Sequence, residues 1–287
     1  MSNHVKGIIF ILLSVLFFGL NTISNKMLVA IPTFERIFFM NIVALIFVSI
    51  QVKYTGESFK SKKLPLLSLR GILGFLSTLF YFYSIDKLQL NDATLLNKTS
   101  PFFVTFFSVL WLRERVNKIH ILAIIIAVVG SVFVINPSFS FTIIPALVGV
   151  AGGATAGLAY TIVRKLRDFD SAFTIVFYFT LISSIASLPF MLIEGFVMPI
   201  RLSQYLLLLS MGIFITLGQT CLSLAYKYEE ASKISIYSFG QIVISLLFGI
   251  LFFKEIPTLG SIVGGITIII AGYLNYKGNL IQHDLKK

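Results

Sequence analysis

Residues 7–29 read GIIFILLSVLFFGLNTISNKMLV, and the character of this stretch sets the fold class. Lys26 is its only charged side chain. The hydrocarbon core of a bilayer is crossed by a helix of about 20 predominantly apolar residues, so residues 7–29 are long enough to span a membrane. The stretch ends in polar residues, Asn21, Asn25 and Lys26, and has no small-residue cleavage pattern. We therefore expect a retained helix and not a cleaved signal peptide.

Nine similar apolar stretches follow, separated by short polar breaks. The composition agrees, with a mean hydropathy of +0.93 and 12% charged residues, where an ordinary soluble domain has about 25%. A soluble globular domain is thereby excluded. The sequence predicts an all-α integral membrane protein with ten transmembrane helices. The predicted spans are about 7–29, 32–52, 66–86, 92–112, 118–136, 143–164, 171–193, 204–226, 231–253 and 257–276.

The net charge of +11 is distributed unevenly between alternate loops. If the N-terminus is cytoplasmic, sixteen Lys and Arg residues lie on the inner side, whereas the outer loops hold only Lys87, Arg201 and Lys254. Because short cytoplasmic loops carry the excess of Lys and Arg, both termini are predicted to be cytoplasmic in a multi-pass protein of the cell (plasma or inner) membrane. This topology accounts for the basic charge, so no nucleic-acid partner is expected.

The chain contains an internal repeat at about half its length. Gly19-Leu20, followed by Lys26, recurs as Gly157-Leu158, followed by Arg164, at an offset of 138. Two further matches fall at offsets of 141 and 142, residues 112–114 with 253–255 and Gly130 with Gly272. A duplicated unit of five helices enters the membrane in opposite orientations, as in many transporters. The predicted halves are 1–137 and 138–287, related as inverted repeats.

Residues 90–101 read LNDATLLNKTSP, and the span that they open closes with Leu112-Arg113-Glu114. This alanine-containing entry, with a proline inside the span and an acidic residue at its end, resembles the helix 4 signature of EamA-type transporters of the drug/metabolite transporter superfamily. The resemblance extends over essentially the whole chain. It implies ten helices in two inverted halves around a central cavity that opens alternately to each side. Ile242 departs from the pattern, since the repeat offset would place a proline there.

Polar side chains recur at helical spacing within the apolar spans, where lipid cannot satisfy them. Helix 4 carries the longest such stripe, formed by Thr94, Lys98, Pro101, Thr105 and Ser108. Any single Ser or Thr could instead bond between helices. From these stripes and the resemblance, the predicted substrate-binding residues are Asn21, Asn25, Arg36, Ser77, Tyr81, Thr94, Lys98, Pro101, Tyr160, Gln219, Tyr237, Ser238 and Gln241.

Lys98 is the most informative of these residues. It lies about 9 Å inside the predicted helix 4 at a rise of 1.5 Å per residue. Its ammonium could reach the outer surface or pair with Glu35. Alternatively, it lies beside the Asn97 carbonyl, to which Pro101 cannot donate, and holds a substrate carboxylate there. Glu114 and Glu255, which end helices 4 and 9, are predicted to serve the exposed N–H groups of the helices that follow them.

The sequence lacks the residues that a disulfide, a metal site or an ATP-binding site would need. The single cysteine, Cys221, excludes an intramolecular disulfide and a cysteine-based metal site, and the three histidines lie near segment ends. No G-x-x-x-x-G-K-[ST] motif occurs, which excludes ATP-driven pumping by this chain. We therefore expect no catalytic residues, no metal and no cofactor, and a protein that is not an enzyme.

The expected function is a secondary transporter that moves a small amphipathic metabolite, such as an amino acid, nucleoside or vitamin-like compound, by alternating access. The alternative is a lipid-carrier flippase or a non-transporting membrane subunit. Arg70-Gly71 and the helix 4 signature are together similar to the branch containing S-adenosylmethionine and riboflavin importers. The expected partners are the substrate and the lipid bilayer, with a proton as the candidate coupling ion. The expected oligomeric state is a monomer or weak homodimer, and the direction of transport is open.

Overall fold

The structure, a computed structural model, describes residues 3–61, 63–112, 117–135, 143–166, 169–197, 199, 201–228 and 235–284. These residues contain no β-strand, which agrees with the predicted all-α class. The helices are α1 (Asn3–Met27), α2 (Thr33–Thr55), α3 (Leu64–Lys87), α4 (Leu90–Asn97), α5 (Ser100–Leu112), α6 (Lys118–Ile135), α7 (Ile143–Leu166), α8 (Ala172–Glu194), α9 (Leu202–Tyr228), a 3-10 helix (Ser235–Phe239), α10 (Gly240–Phe253) and α11 (Leu259–Asp284).

The helices have the length and the outer surface of a membrane protein. Seven of them (α1, α2, α3, α7, α8, α9 and α11) contain segments long and apolar enough to cross a bilayer. Large apolar side chains are exposed around the bundle, including Ile50, Leu110, Val128, Ile193 and Leu251. A soluble monomer rarely exposes such extensive apolar surface. The chain is therefore a multi-pass membrane protein.

Contacts between loops define two ends of the bundle. At the end that includes Asn3, which we call the terminal face, the segment after α2 meets the start of α8: Thr174 Oγ1 donates to the Ser58 carbonyl (2.8 Å) and the Tyr178 hydroxyl to the Phe59 carbonyl (3.1 Å). At the opposite end, the distal face, the end of α1 meets the α3–α4 junction, where Lys26 Nζ donates to the Leu88 carbonyl (2.7 Å). Successive long helices thus run between these two faces.

The fourth predicted span is not one continuous helix. It divides into α4 and α5, with Lys98 and Thr99 between them, so the stripe that we predicted along a single helix is interrupted at Lys98. Pro101 lacks an N–H and cannot continue the α-helical hydrogen bonds. The backbone forms a tighter turn instead, in which the N–H of Thr99 donates to the carbonyl three residues earlier, that of Leu96 (3.2 Å). The Thr99 hydroxyl donates to the same carbonyl (2.6 Å).

The ninth predicted span is irregular at the corresponding position. The 3-10 helix changes to α-helix at Phe239–Gly240, at an offset of 141 from Lys98–Thr99. No proline is present there, since residue 242 is isoleucine. The change of helix type in the second half therefore does not depend on a proline.

Glycines allow α7 to approach the α4–α5 junction closely, as their four-residue spacing predicts. A Cβ at Gly153 would lie 3.1 Å from the Leu96 carbonyl oxygen, and one at Gly157 would lie 3.0 Å from the Ser100 carbonyl oxygen. On the other side of the bundle, a Cβ at Gly264 of α11 would lie 2.6 Å from the Gly130 carbonyl oxygen of α6. Backbone contact at these points leaves no room for a larger residue.

Candidate substrate cavity

A cavity of about 380 Å³ lies between α1, α3, α5, α7, α9, the 3-10 helix and α11. Its volume is in the range of small-molecule binding sites, about 300 to 1,000 Å³. Nine of the thirteen predicted substrate-binding residues line it: Asn21, Ser77, Tyr81, Lys98, Pro101, Tyr160, Gln219, Ser238 and Gln241. The interrupted fourth span and the start of the ninth both contribute to its wall.

The cavity wall is apolar with a few polar groups and a positive charge. Apolar side chains such as Phe18, Val104 and Ile215 alternate with the amides of Asn21 and Gln219. The only charged residues among those that line the cavity in the described part of the chain are Arg70 and Lys98. Among the described residues no carboxylate lines the cavity to balance them, so the site suits a ligand that carries negative charge.

Lys98 lies at the junction between α4 and α5 and lines the cavity half-buried. Among the described residues its ammonium has no hydrogen bond and no salt bridge. The pairing with Glu35 is not formed, because Glu35 lies at the distal face, where its Oε2 accepts the Val197 N–H at 3.0 Å. The ammonium therefore contributes an unneutralised positive charge to the wall.

Arg70 of α3 lines the cavity and was not among the predicted binding residues. Its side chain is 4% exposed, and the guanidinium carbon lies 4.3 Å from the centroid of the Phe179 ring. Its Nε and Nη1 are buried and have no hydrogen-bond partner in the part of the chain that the structure describes. In the sequence, Arg70 was noted only for the similarity of Arg70-Gly71 to a branch of importers. A better signal was available, because Arg70, Gly74, Ser77 and Tyr81 follow one another in helical steps of four, three and four residues.

Two of the predicted binding residues, Asn25 and Arg36, lie outside the cavity in a network at the distal face. Arg36 is fully buried and forms a salt bridge with Asp86, with Nη1 3.0 Å from Asp86 Oδ1. The same Nη1 donates to Asn25 Oδ1 at 2.8 Å. These contacts join α1, α2 and α3, so the arginine has protein partners where the sequence suggested a substrate.

Thr94 and Tyr237 also lie outside the cavity. The Thr94 hydroxyl donates to the Leu90 carbonyl (2.8 Å) and lies 3.0 Å from the hydroxyl of Tyr81, which does line the cavity. Thr94 thus positions a cavity residue from behind. Tyr237 packs against the cluster of Ile11 and Ala225 on the side of α1.

A second charged cluster joins the two halves of the chain at the distal face. Lys26 Nζ lies 2.6 Å from Glu255 Oε1, and Glu255 Oε2 accepts the Leu90 N–H at 2.6 Å. Glu255 therefore caps α4. The prediction that it caps the helix that follows it was wrong. That following helix is capped by Thr258, whose Oγ1 accepts the Ser261 N–H at 3.1 Å. Glu114, the counterpart in the first half, lies outside the described residues.

Comparison with known proteins identifies the family. The sequence matches the EamA-like transporter family over residues 5–136 and 143–277. It is 30% identical to the pseudopaline exporter CntI of Pseudomonas aeruginosa over 262 residues, which cover 91% of this chain and 92% of the exporter. It is 22% identical to human solute carrier family 35 member G1 over 282 residues, which cover 92% of this chain and 76% of the human protein.

A protein of known crystal structure shares the fold, with a TM-score of 0.69 and 16% identity over 99% of both chains. The resemblance noted from the helix 4 signature is confirmed by the family match and by the relatives, which are transporters and not enzymes. The chain belongs to the EamA-like transporter family, within the drug/metabolite transporter superfamily.

Proposed function

We propose that this protein is a secondary transporter that moves a small amphipathic metabolite with an anionic group across the cell membrane by alternating access. An amino acid, a nucleoside carrying an acidic group or a vitamin-like acid would have this chemistry. The observation that carries the proposal is Lys98, a half-buried ammonium with no partner among the described residues, in the wall of a cavity of small-molecule size.

The physical basis is the cost of an unpaired charge inside a membrane protein. A lysine near the middle of a span costs about 2.5 to 3.5 kcal/mol on insertion scales. A salt bridge or a hydrogen-bonded carboxylate would offset this cost, and Lys98 has neither in the described part of the chain. A bound carboxylate would supply both partners at once, through charge-assisted hydrogen bonds. The apolar wall around it favours the remainder of an amphipathic solute.

Matched contacts between the halves support ten spans arranged as inverted repeats, with the broken α4–α5 and the pair formed by the 3-10 helix and α10 each counted as one span. In this arrangement α1 corresponds to α7, α2 to α8 and α3 to α9. The α1–α9 contact then corresponds to the α7–α3 contact, and the α2–α9 contact to the α8–α3 contact. All four contacts are present. The two ranges that match the family, 5–136 and 143–277, follow the proposed halves 1–137 and 138–287. Such halves can rock against each other around a fixed site.

The charged clusters support a state that is closed at the distal face. Lys26 and Glu255 join the halves there, and the Arg36–Asp86 salt bridge holds α2 to α3. The cavity lies on the terminal side of these clusters, since it is lined by Ile11, Arg70 and Asn275 but not by Lys26 or Glu255. With both termini in the cytoplasm, as the distribution of Lys and Arg favours, this is an inward-facing state. The cavity lies within one chain, which supports a monomer as the transporting unit.

A thermal-shift screen of the detergent-solubilised full chain tests the proposal. The panel pairs anionic metabolites with their neutral esters or amides and with cationic metabolites of similar size. A ligand that binds only the folded state raises the unfolding temperature by mass action. We expect the stabilising compounds to be anionic and amphipathic, and their effect to be lost in Lys98→Met but kept in Lys87→Met, an exposed lysine of α3. Stabilisation by neutral or cationic members, unchanged in Lys98→Met, would reject the anionic substrate.

A further inference from the structure

Resting on the proposed function, we infer that Arg70 is a second anion-binding position, and that the substrate class is an elongated amphipathic metabolite with two anionic groups. Arg70 and Lys98 line the same cavity. The Lys98 ammonium can bind one anionic group of the substrate. A second cation in the same wall, with unpartnered donors, can bind a second anionic group.

Arg70 has the environment of a binding group and lacks that of a structural arginine. The structural arginine of this chain, Arg36, is fully buried and meets Asp86, Asn25 and Thr33 with its two terminal nitrogens. Arg70 is also nearly completely buried, but among the described residues its Nη1 has no acceptor, whereas in both arginines the Nε has none. Leaving a buried guanidinium unpaired is costly, and a substrate anion would remove that cost on binding.

The surroundings of Arg70 orient its planar group and leave its edge free. The ring of Phe179 covers one face at 4.3 Å, an arrangement that fixes a guanidinium without using its N–H donors. Gly74, one helical turn further along α3, leaves the space that the guanidinium occupies, because a Cβ there would lie 2.6 Å from Arg70 Nη1. Tyr160 lines the same cavity and can add a hydroxyl donor.

The two cations lie at different depths, which sets the shape of the ligand. Arg70 is six residues from the start of α3 at the terminal face, or roughly 9 Å along the helix axis. Lys98 is fourteen residues from the end of α5 at the same face, or roughly 21 Å. The two positions are therefore roughly 12 Å apart along the bundle. The Arg70 side chain shortens the gap, because its Nη1 lies beside Gly74, one turn closer to the level of Lys98. A linear dianion with an apolar middle fits this spacing, whereas two adjacent carboxylates would reach only one of the cations.

The test compares suberate with its monomethyl ester, which has the same chain and one charge fewer. Dissociation constants are measured from thermal shifts of the full-length protein in detergent. We expect the wild type to bind suberate about tenfold or more tightly than the ester, since one charge-assisted hydrogen bond is gained. Arg70→Gln should bind both compounds equally, and Arg70→Lys should keep part of the preference. The control Lys87→Gln, on the exposed side of the same helix, should behave like the wild type.

The outcomes separate this inference from the proposed function. If the ester binds in a Lys98-dependent manner and suberate gains nothing, the anionic site at Lys98 stands and the second position at Arg70 falls. If wild-type protein binds neither compound, the linear dianion is rejected as the substrate class. Unfolding without ligand provides a separate readout, because Arg70→Gln should be as stable as the wild type or more stable. A loss of several degrees in the unfolding temperature would show that Arg70 is structural.

Discussion

Gly19 of α1 packs directly against Ile244 of α10, so that a Cβ at Gly19 would lie 2.5 Å from Ile244 Cγ2. In the other half, a Cβ at Gly157 of α7 would collide with the side chain of Phe103 of α5. The two glycines are separated by 138 positions and their partners by 141. The same contact thus occurs twice, which supports the proposed arrangement of two inverted copies of one unit.

These paired contacts differ in how a clash could be relieved. Gly19→Ala should lower stability by about 1 to 3 kcal/mol through overpacking, and Ile244→Ala should restore it, because the closest atom is then removed. Gly157→Ala should be similarly destabilising but not rescued by Phe103→Ala, since the backbone of Phe103 also lies 3.0 Å from the added Cβ. Unfolding temperatures of the four single and double variants in detergent provide the measurement. Equal rescue at both sites would contradict the packing described here.

The buried pair Arg36–Asp86 should be a structural element of the distal face. Asp86→Ala leaves a fully buried guanidinium with one partner fewer, so we expect a loss of about 3 to 5 kcal/mol in the free energy of unfolding. Replacing both residues, as in Arg36→Met with Asp86→Leu, should cost less than Asp86→Ala alone because no charge remains uncompensated. A double variant less stable than both single variants would contradict this role.

The Lys26–Glu255 cluster should hold the distal face closed. Glu255→Ala removes the salt bridge and the acceptor for the Leu90 N–H, while Glu255→Gln keeps an acceptor and removes the charge. We expect the alanine variant to be destabilised by about 1 to 3 kcal/mol and the glutamine variant by less. The exposed carboxylate of Glu194 at the end of α8 provides the control, and Glu194→Ala should leave the unfolding temperature unchanged. Equal effects of the substitutions at 255 and 194 would show that the cluster is not a constraint.

The positions of the helices were predictable from apolar runs, because lipid imposes a minimum length on each span. The predicted span 171–193, for example, corresponds to α8 at Ala172–Glu194. The break at Lys98–Thr99 was not predicted. Apolar character continues through it, and only Pro101 indicated a disturbance, whose exact place depends on the Thr99 hydrogen bonds to Leu96.

Polar residues inside the cavity were predictable in part, since their helical spacing places them on one side of a span. Spacing alone does not reveal which neighbour a side chain meets. Arg36 forms a salt bridge with Asp86, which lies 50 positions away in the sequence. This pairing depends on how α2 and α3 pack. Arg70 was not among the predicted binding residues, although Ser77 and Tyr81 continue from it at helical spacing on the same helix. Net charge and helical spacing compete as explanations for a cation near a span end, and the structure decides between them.

The orientation of the chain is open to a direct test by cysteine labelling in intact cells, in a Cys221→Ala background. Ser58, in the segment after α2 at the terminal face, is one suitable labelling site. Glu194, exposed at the distal face, is the other. An impermeant thiol reagent should label Glu194→Cys and not Ser58→Cys until the cells are opened. Labelling of Ser58→Cys alone would reverse the orientation, and the positive-inside reasoning would fail.

Transport of the metabolite selected by thermal shift, measured in proteoliposomes with and without a pH gradient, is the most direct test of the cavity as an anion site. Lys98→Met should fold normally and transport at about a tenth of the wild-type rate or less, because a charge-assisted hydrogen bond of about 1.5 to 3 kcal/mol is lost. Lys98→Arg should restore only part of the rate, since a planar guanidinium does not replace a compact ammonium. Lys87→Met should transport like the wild type. A Lys98→Met protein that transports at the full rate would contradict the account.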